Sequence, residues 1–398
     1  MTFTPRGQAW VDGLISPGTL IDAEDLNRIE ANGVDADTRL DTLEAASRYT
    51  TVQDEGTVRT QRATINFVGA GVSATDDAGG VRTTVTIPGG GSTPGVGAFV
   101  YQSGGNTVAV NRAGAVITSL ATSAANNVTV IQAAIDAMAG ANSAGLHGGG
   151  GSVQLSDEQY QINAQINIKY GVSLRGTSRN FDRGGATYNE FQASTNGTTL
   201  RPTVNNIRAI SMGVATTVGV HLATNPHGVE ISNLQIDGHG VTGVTGIYII
   251  DLTDPHIVNV LISDCATGID VDSTQPPNDG GTVACKIIGC DILGCDIGID
   301  ISATSGATDG EITSCRILAS TSFAVNLTRG GWQISQCHMT TSNAAPHINM
   351  SGSPCMATNN YFDTAGSASQ ITLSTGNCNI TGNYFTSSSG QTANITVS

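Results

Sequence analysis

Positive charge is scarce in this chain: 17 Lys and Arg stand against 32 Asp and Glu, for a formal net charge of −15 and a pI near 4.6. Nucleic-acid phosphates need Lys and Arg opposite them, so this balance excludes nucleic acid as a partner. It fits an anionic membrane surface no better. It also weighs against a lyase on acidic sugar, which needs cations to neutralise the substrate carboxylate. No apolar stretch approaches the ~18 residues of a membrane span, so membrane insertion is not expected. The first six residues lack the basic and apolar regions of a signal peptide, which predicts a chain kept in a reducing cytoplasm or leaving it by a route other than usual secretion. Ser-His-Asp motifs, phosphate loops and zinc spacings are missing too, so neither a cofactor nor a metal is expected. With charged residues at 12% and aromatics at 5%, the polar surface falls to Ser, Thr and Asn, beside 50 Gly. That composition suits many short strands joined by small turn residues.

What is present is a repeat. Ile231, Ile257, Ile287, Ile312, Ile334, Ala357 and Ile380 serve as anchors, spaced by 26, 30, 25, 22, 23 and 23 residues. Three positions on stand Leu234, Val260, Cys290, Cys315, Cys337, Asn360 and Asn383; five on stand Ile236, Ile262, Ile292, Ile317, Met339, Phe362 and Phe385. A second alternating run closes each copy, from Gly246-Ile-Tyr-Ile-Ile through Gly268-Ile-Asp-Val-Asp to Asn394-Ile-Thr-Val-Ser. Period-two alternation in copies of this size excludes helical repeats. No copy buries its own apolar side chains, so the copies must stack. The odd three-residue step between inward positions requires a bend, and the predicted cross-section is that of an all-β parallel β-helix.

All 8 cysteines follow residue 264, in columns along the repeat. Stacked neighbours ~4.8 Å apart fit disulfide dihedrals poorly, and parallel columns do not converge as metal ligands must. Buried free thiols filling space are expected. Ahead of the repeat, Asp22 can cap a helix in which Leu26, Ile29, Gly33, Ala36, Leu40 and Leu43 form a short heptad seam, either packed on its own chain or oligomerising, three-stranded. Residues 64–68, 72–75 and 81–87 alternate as strands, the last two around a hairpin turn. The Gly- and Pro-rich stretch at 88–97 marks a domain boundary. Three parts are expected: 1–49 with the coiled coil, 50–98 as a β-hairpin connector and linker, and 99–398 as the β-helix. Asn127 is expected to cap a helix over 128–139.

Several stretches carry a resemblance. Val130-Ile-Gln-Ala-Ala-Ile-Asp-Ala-Met, the Gly148–Gly151 run leading to Ser152-Val-Gln-Leu, Tyr160-Gln-Ile-Asn-Ala-Gln-Ile-Asn-Ile and Gly171-Val-Ser-Leu-Arg-Gly-Thr resemble the opening of pectate-lyase-like right-handed β-helices. The likeness covers roughly 126–398 and implies that the helix covers the open first rung, as an exposed sheet edge needs. The segments Arg6 to Glu30 and Ile65 to Ile87 resemble attachment and connector parts of bacteriophage tail fibre and tailspike proteins. That resemblance implies a homotrimer in a virion, assembled in the host cytoplasm, joined to other tail or baseplate proteins by its N-terminus and to a host-surface glycan by its β-helix.

Outward positions on stacked copies form columns, and chemistry is sought there. One runs Tyr248, Asp270, Asp300, Asn326, Asn349, Thr372; Asp270 and Asp300, a rung apart, suit a glycosidase as nucleophile and acid, a Ca²⁺ site, or a solvated acidic patch. A second runs Gln235, Leu261, Asp291, Arg316, His338, Tyr361, Tyr384; the last five suit a glycan-binding strip, a subunit interface or plain surface, with Asp291 and Arg316 paired. Asp237-Gly-His239-Gly resembles the Gly-His-Gly of polygalacturonases, but the rest of that family's pattern is missing and Asp-Gly is ordinary turn chemistry. Three functions stay open: glycan attachment, a depolymerase of the same build, and a purely structural tail protein. Ile395 and Val397, on the last copy, are expected to be closed by neighbouring subunits or a separate tip protein.

Overall fold

A computed structural model describes residues 97–139, 150–169, 171–179, 197–213, 229–274, 281–302, 306–341, 345–363, 369–374, 376–386 and 394–398, together with the backbone of six short strands. Those strands are Val52–Asp54, Thr57–Arg59, Ser73–Asp77, Arg82–Thr86, Phe181–Asp182 and Gln192–Ala193. Two compact units divide at Pro88: Met1–Ile87 and Pro88–Ser398. In the first, Ser73–Asp77 pairs antiparallel with Arg82–Thr86, and Val52–Asp54 pairs antiparallel with Thr57–Arg59. The heptad at 26–43 and the strand at 64–68 lie outside the described residues.

The second unit is the expected parallel β-helix, and each rung spends three strands. The rung anchored at Ile257 shows the plan, with His256–Val258, Leu261–Ser263 and Thr267–Asp272 on three different sheets. Like strands of successive rungs pair in parallel; among the described residues the first sheet has 12 strands, two of them added antiparallel at one edge, and the second and third have 9 each. The anchors pair with one another in register, as do the +5 residues. Ile231, Ile257, Ile287, Ile312 and Ile334 are fully buried, as are Ile236, Ile262, Ile292 and Ile317 beside them and Ile247, Ile269 and Ile299 on the third sheet. Each contributes at most about 1.5–3 kcal/mol of burial, less whatever the unfolded chain already hides.

The predicted bend has a specific backbone. Two residues after each anchor stand Asn233, Asn259, Gly289, Ser314, Gln336, Asn359 and Gly382, all with φ between +55° and +67°. One left-handed residue turns the chain from the first sheet into the second, and Asn and Gly tolerate that conformation best. The next residue follows the corner, and in the last five copies its side chain donates to the preceding anchor's carbonyl. Cys290, Cys315 and Cys337 do so through Sγ, to Ile257, Ile287 and Ile312 at 3.6, 3.5 and 3.7 Å. Asn360 and Asn383 do so through Nδ2, to Ile334 and Ala357 at 3.1 and 2.8 Å. All eight cysteines are free, seven of them buried, so the corner thiols act as weak donors as well as fillers.

The open first rung is closed by α1, Ala124–Ala139, together with the antiparallel strands Asn106–Asn111 and Val116–Ala121 that extend the first sheet. The helix begins a turn earlier than expected, because Ser123 rather than Asn127 caps it: the Ser123 Oγ receives the Asn126 N–H at 3.2 Å. Asn127 is buried instead, and its Nδ2 donates to the Gln161 carbonyl at 2.9 Å while its Oδ1 accepts from Thr107. Gln132 exchanges two bonds with the Asn167 backbone, at 3.0 and 2.9 Å. These two side chains satisfy the edge strands of the second and third sheets, while Val130, Ile131, Ala134 and Ile135 bury against the first rung. At the other end, Ile395 and Val397 of the last strand are 37% and 74% exposed.

Candidate functional site

The outward column of the second sheet divides in two. Gln235, Leu261 and Asp291 occupy outward positions yet are at most 2% exposed. Chain leading out of the strand Val172–Arg175 lies over them: Gly197 packs against the Gln235 amide, and the strand Gln192–Ala193 lies against Gln235–Asp237 and Leu261–Ser263. Arg179 belongs to this overlay and its Nη1 stands 2.6 Å from Asp291 Oδ2, while Arg316 Nε donates to Asp291 Oδ1 at 2.5 Å. The expected Asp291–Arg316 pair is therefore a buried carboxylate between two guanidinium groups rather than part of an open strip. Such a carboxylate holds the overlay to the sheet, and removing either partner would leave a buried charge uncompensated. Asp291 in turn raises the proton affinity of Arg316.

Beyond Arg316 the column opens. His338 meets the Tyr361 ring edge-on, with centroids 4.8 Å apart, and Tyr361 stacks on Tyr384 at 5.3 Å with planes 6° apart. In-register pairing produces the stack, since the three residues are direct neighbours on successive strands. The shared ring faces leave ring edges and phenol oxygens outward, and Tyr384, 62% exposed, ends the row. Burial lowers the His338 imidazole below its ordinary value, with Asp363 opposing and Arg316 reinforcing the shift.

The third-sheet column forms as predicted, with Tyr248, Asp270, Asp300, Asn326, Asn349 and Thr372 in register. Asn326 Nδ2 donates to Asp300 Oδ1 at 2.8 Å, Asn349 Nδ2 to Asn326 Oδ1 at 2.8 Å, and Thr372 Oγ1 to Asn349 Oδ1 at 3.1 Å. Ser302 also donates to Asp300. Asp270 has half-buried surroundings and carboxylates on both sides. Burial, then Asp300 and Asp272, push its carboxyl up to about 6, against the pull of Arg208. Arg208 itself lies 3.3 Å over the Tyr248 ring, and the Tyr248 hydroxyl donates to Asp272 at 3.0 Å. Sequence spacing gives no sign of Arg208, because it stands two rungs from Asp270 across an irregular part of the repeat.

A third grouping also escapes the columns. At the corner between the second and third sheets, Asp237, His239, Asp264 and Arg201 converge, with Arg201 Nε 3.7 Å from Asp237 Oδ2 and His239 Nδ1 4.0 Å from Asp264 Oδ2. Asp264 occupies a left-handed turn (φ +54°), so its side chain leaves the strand alternation on which the columns rest. Among the described residues, no group of three His, Cys, Asp or Glu side chains could hold a metal ion. Among the same residues, no helix is long and apolar enough to cross a membrane.

No protein-family model and no curated protein matches the chain. Solved structures do. DFA-IIIase from Arthrobacter chlorophenolicus A6, in complex with DFA-III, aligns at 14% identity and TM-score 0.50 over 65% of this chain and 72% of its own. Geobacillus virus E2 ORF18 aligns at 15% and 0.43 over 67% of this chain, which spans only 56% of that one. The A-module of the Azotobacter vinelandii mannuronan C-5 epimerase AlgE4 aligns at 15% and 0.37 over 71% and 90%. At 14% identity the DFA-IIIase likeness concerns the fold alone, and beside the three stacked parallel sheets it makes the second unit a right-handed parallel β-helix of the pectate-lyase-like fold.

Proposed function

We propose that the chain is the host-contacting tail component of a phage virion and holds a surface glycan along the second sheet between Arg316 and Tyr384. The observation that carries this reading is the outward row His338, Tyr361, Tyr384, three aromatic rings ordered against one another on a rigid sheet. Tyr offers a sugar both an apolar edge and a hydroxyl, and side chains already ordered lose little entropy on binding. Arg316, with its guanidinium half exposed, adds a charged donor at one end. The N-terminal resemblance supplies the virion context: 1–49 would join other tail or baseplate proteins and bring three chains together.

The test is retention of the full chain on purified envelope polysaccharide of the host bacterium. Replacing both Tyr361 and Tyr384 by Ala removes only outward side chains, so melting should hold while affinity falls more than tenfold. Unchanged retention would sink the strip. Sedimentation as a monomer at micromolar concentration would end the trimer.

Cleavage is the second reading, favoured by one observation: Asp270, its proton held up to about 6, beside Asp300 on the adjacent strand. Carboxylates one rung apart, ~4.8 Å, come near the separation of retaining glycosidases, with Asp270 as acid and Asp300 as nucleophile. Release of reducing ends, lost in Asp270→Asn and in Asp300→Asn, would support it. Release by both variants would remove the pair.

A further inference from the structure

We propose that the corner formed by Arg201, Asp237, His239, Asp264 and Ser263 is a second carbohydrate subsite, one that takes the hydroxyl groups of an uncharged sugar. It rests on the glycan-contact reading above and deepens it.

The geometry has two unclosed gaps. Arg201 Nε and Asp237 Oδ2 are 3.7 Å apart, and His239 Nδ1 and Asp264 Oδ2 are 4.0 Å apart. Both are too long for a direct hydrogen bond. Each is the right width for an oxygen standing ~2.8 Å from both ends. Arg201 faces Asp237 as a nitrogen donor before a carboxylate acceptor, and His239 does the same before Asp264 when Nδ1 carries the ring proton; a hydroxyl, which accepts and donates at once, satisfies such a pair. A cation would be opposed by Arg201 and an anion by the two carboxylates. An uncharged ligand rich in hydroxyls meets neither objection.

The corner also has a floor and a mouth. Asp237 is 7% exposed and held by the His239 N–H on its Oδ1 at 3.0 Å, which leaves Oδ2 toward the gap. Ser263 stands in register with Asp237 on the next strand, and its Oγ, on a residue 1% exposed, has no hydrogen-bond partner. A hydroxyl buried in that state costs free energy unless a ligand group meets it. The side chains of His239 and Asp264 lie at the mouth, 58% and 38% exposed. Burial and the Asp237 charge raise the Asp264 carboxyl above its ordinary value, with His239 opposing, as expected where acceptor groups crowd together with too few donors.

His239 follows the strand Gln235–Asp237, four strands from His338 and six from Tyr384 on the second sheet, roughly 19–29 Å at the rung spacing, so rings at the two places report independently. The full chain, with His and Tyr rings labelled for NMR, is titrated with α- and β-linked neutral hexose hexamers and with oligogalacturonate of the same length. The His239 ring should shift with a neutral hexamer and not with oligogalacturonate. Asp264→Asn, which keeps a residue tolerant of φ +54°, should weaken that binding about tenfold or more without lowering the melting temperature. His239→Gln should act in the same direction. A His239 ring silent to every neutral hexamer, an equal response to oligogalacturonate, or unchanged affinity in Asp264→Asn overturns the subsite. Shifts at Tyr384 with His239 silent overturn this corner and leave the strip standing, the reverse overturns the strip, and silence at both overturns both.

Discussion

Asp270→Asn should make the protein more stable, with a gain that grows from about pH 4 and is complete above about pH 6. Folding places the Asp270 carboxyl among Asp300, Asp272 and partial burial, which pushes it up to about 6, whereas an unfolded Asp sits near 3.9. Between those values the native state binds more protons than the unfolded state, so this group's contribution to stability falls as pH rises through the window. Below about pH 4 both states are protonated and the group is neutral in effect. Above about 6 the native state carries the full cost of the charge. A shift of about two units corresponds to about 3 kcal/mol, which solvent screening at a half-exposed site reduces to about 1–2 kcal/mol. Asn has the same shape without the charge. Thermal unfolding of wild type and variant at pH 8 and pH 4 should therefore show a gain on the order of 2–4 °C at pH 8 and almost none at pH 4. Equal melting at pH 8, or a loss of equal size at both pH values, would refute the proposed crowding of charge. A gain would also fit a site where charge is kept at the expense of stability.

Three further outcomes follow from the corners and the core. Gly289, with φ +62° and open space where a Cβ would stand, should lose roughly 1–2 kcal/mol on change to Ala and less on change to Asn, the residue used at 233, 259 and 359; equal denaturant midpoints for the two would contradict the left-handed corner. Asn360→Ala leaves the Cys337 N–H and the Ile334 carbonyl without their side-chain partner and should cost about 2–4 kcal/mol, against about 1 for Cys315→Ala, whose thiol is a weaker donor; reversal of that order would argue against corner donors. Thiol labelling of the native protein should reach at most Cys378, the one half-buried cysteine, and all eight only after denaturation.

Much of the fold was legible because a solenoid writes its plan repeatedly. Seven anchors, the +3 corner and the +5 position recur with little disturbance, and period-two alternation tells which side chains face inward. The columns Tyr248 to Thr372 and Arg316 to Tyr384 came from the same arithmetic, and register pairing places their members side by side. Alternation says that a residue points outward but not what lies outside it. Asp291 shows the difference: its position is outward, yet Arg179, a few residues past Val172–Arg175, lies against it and neutralises it, across a sequence separation that carries no periodic signal. The start of α1 was decided in the same way, since Asn127 is a good cap by type but is drawn inside by Thr107 and Gln161. Tyr361 and Tyr384 could be aligned from the sequence; that their faces are spent on one another is a matter of rotamer and packing. Arg201 and Asp237 meet across neighbouring strands, and Asp264 joins them because its left-handed backbone turns its side chain out of the alternation. The repeat and its inward faces belong to the sequence, being local and periodic; which outward groups meet, and which are covered, belongs to the tertiary structure, because it depends on non-repeating chain crossing a repeating surface.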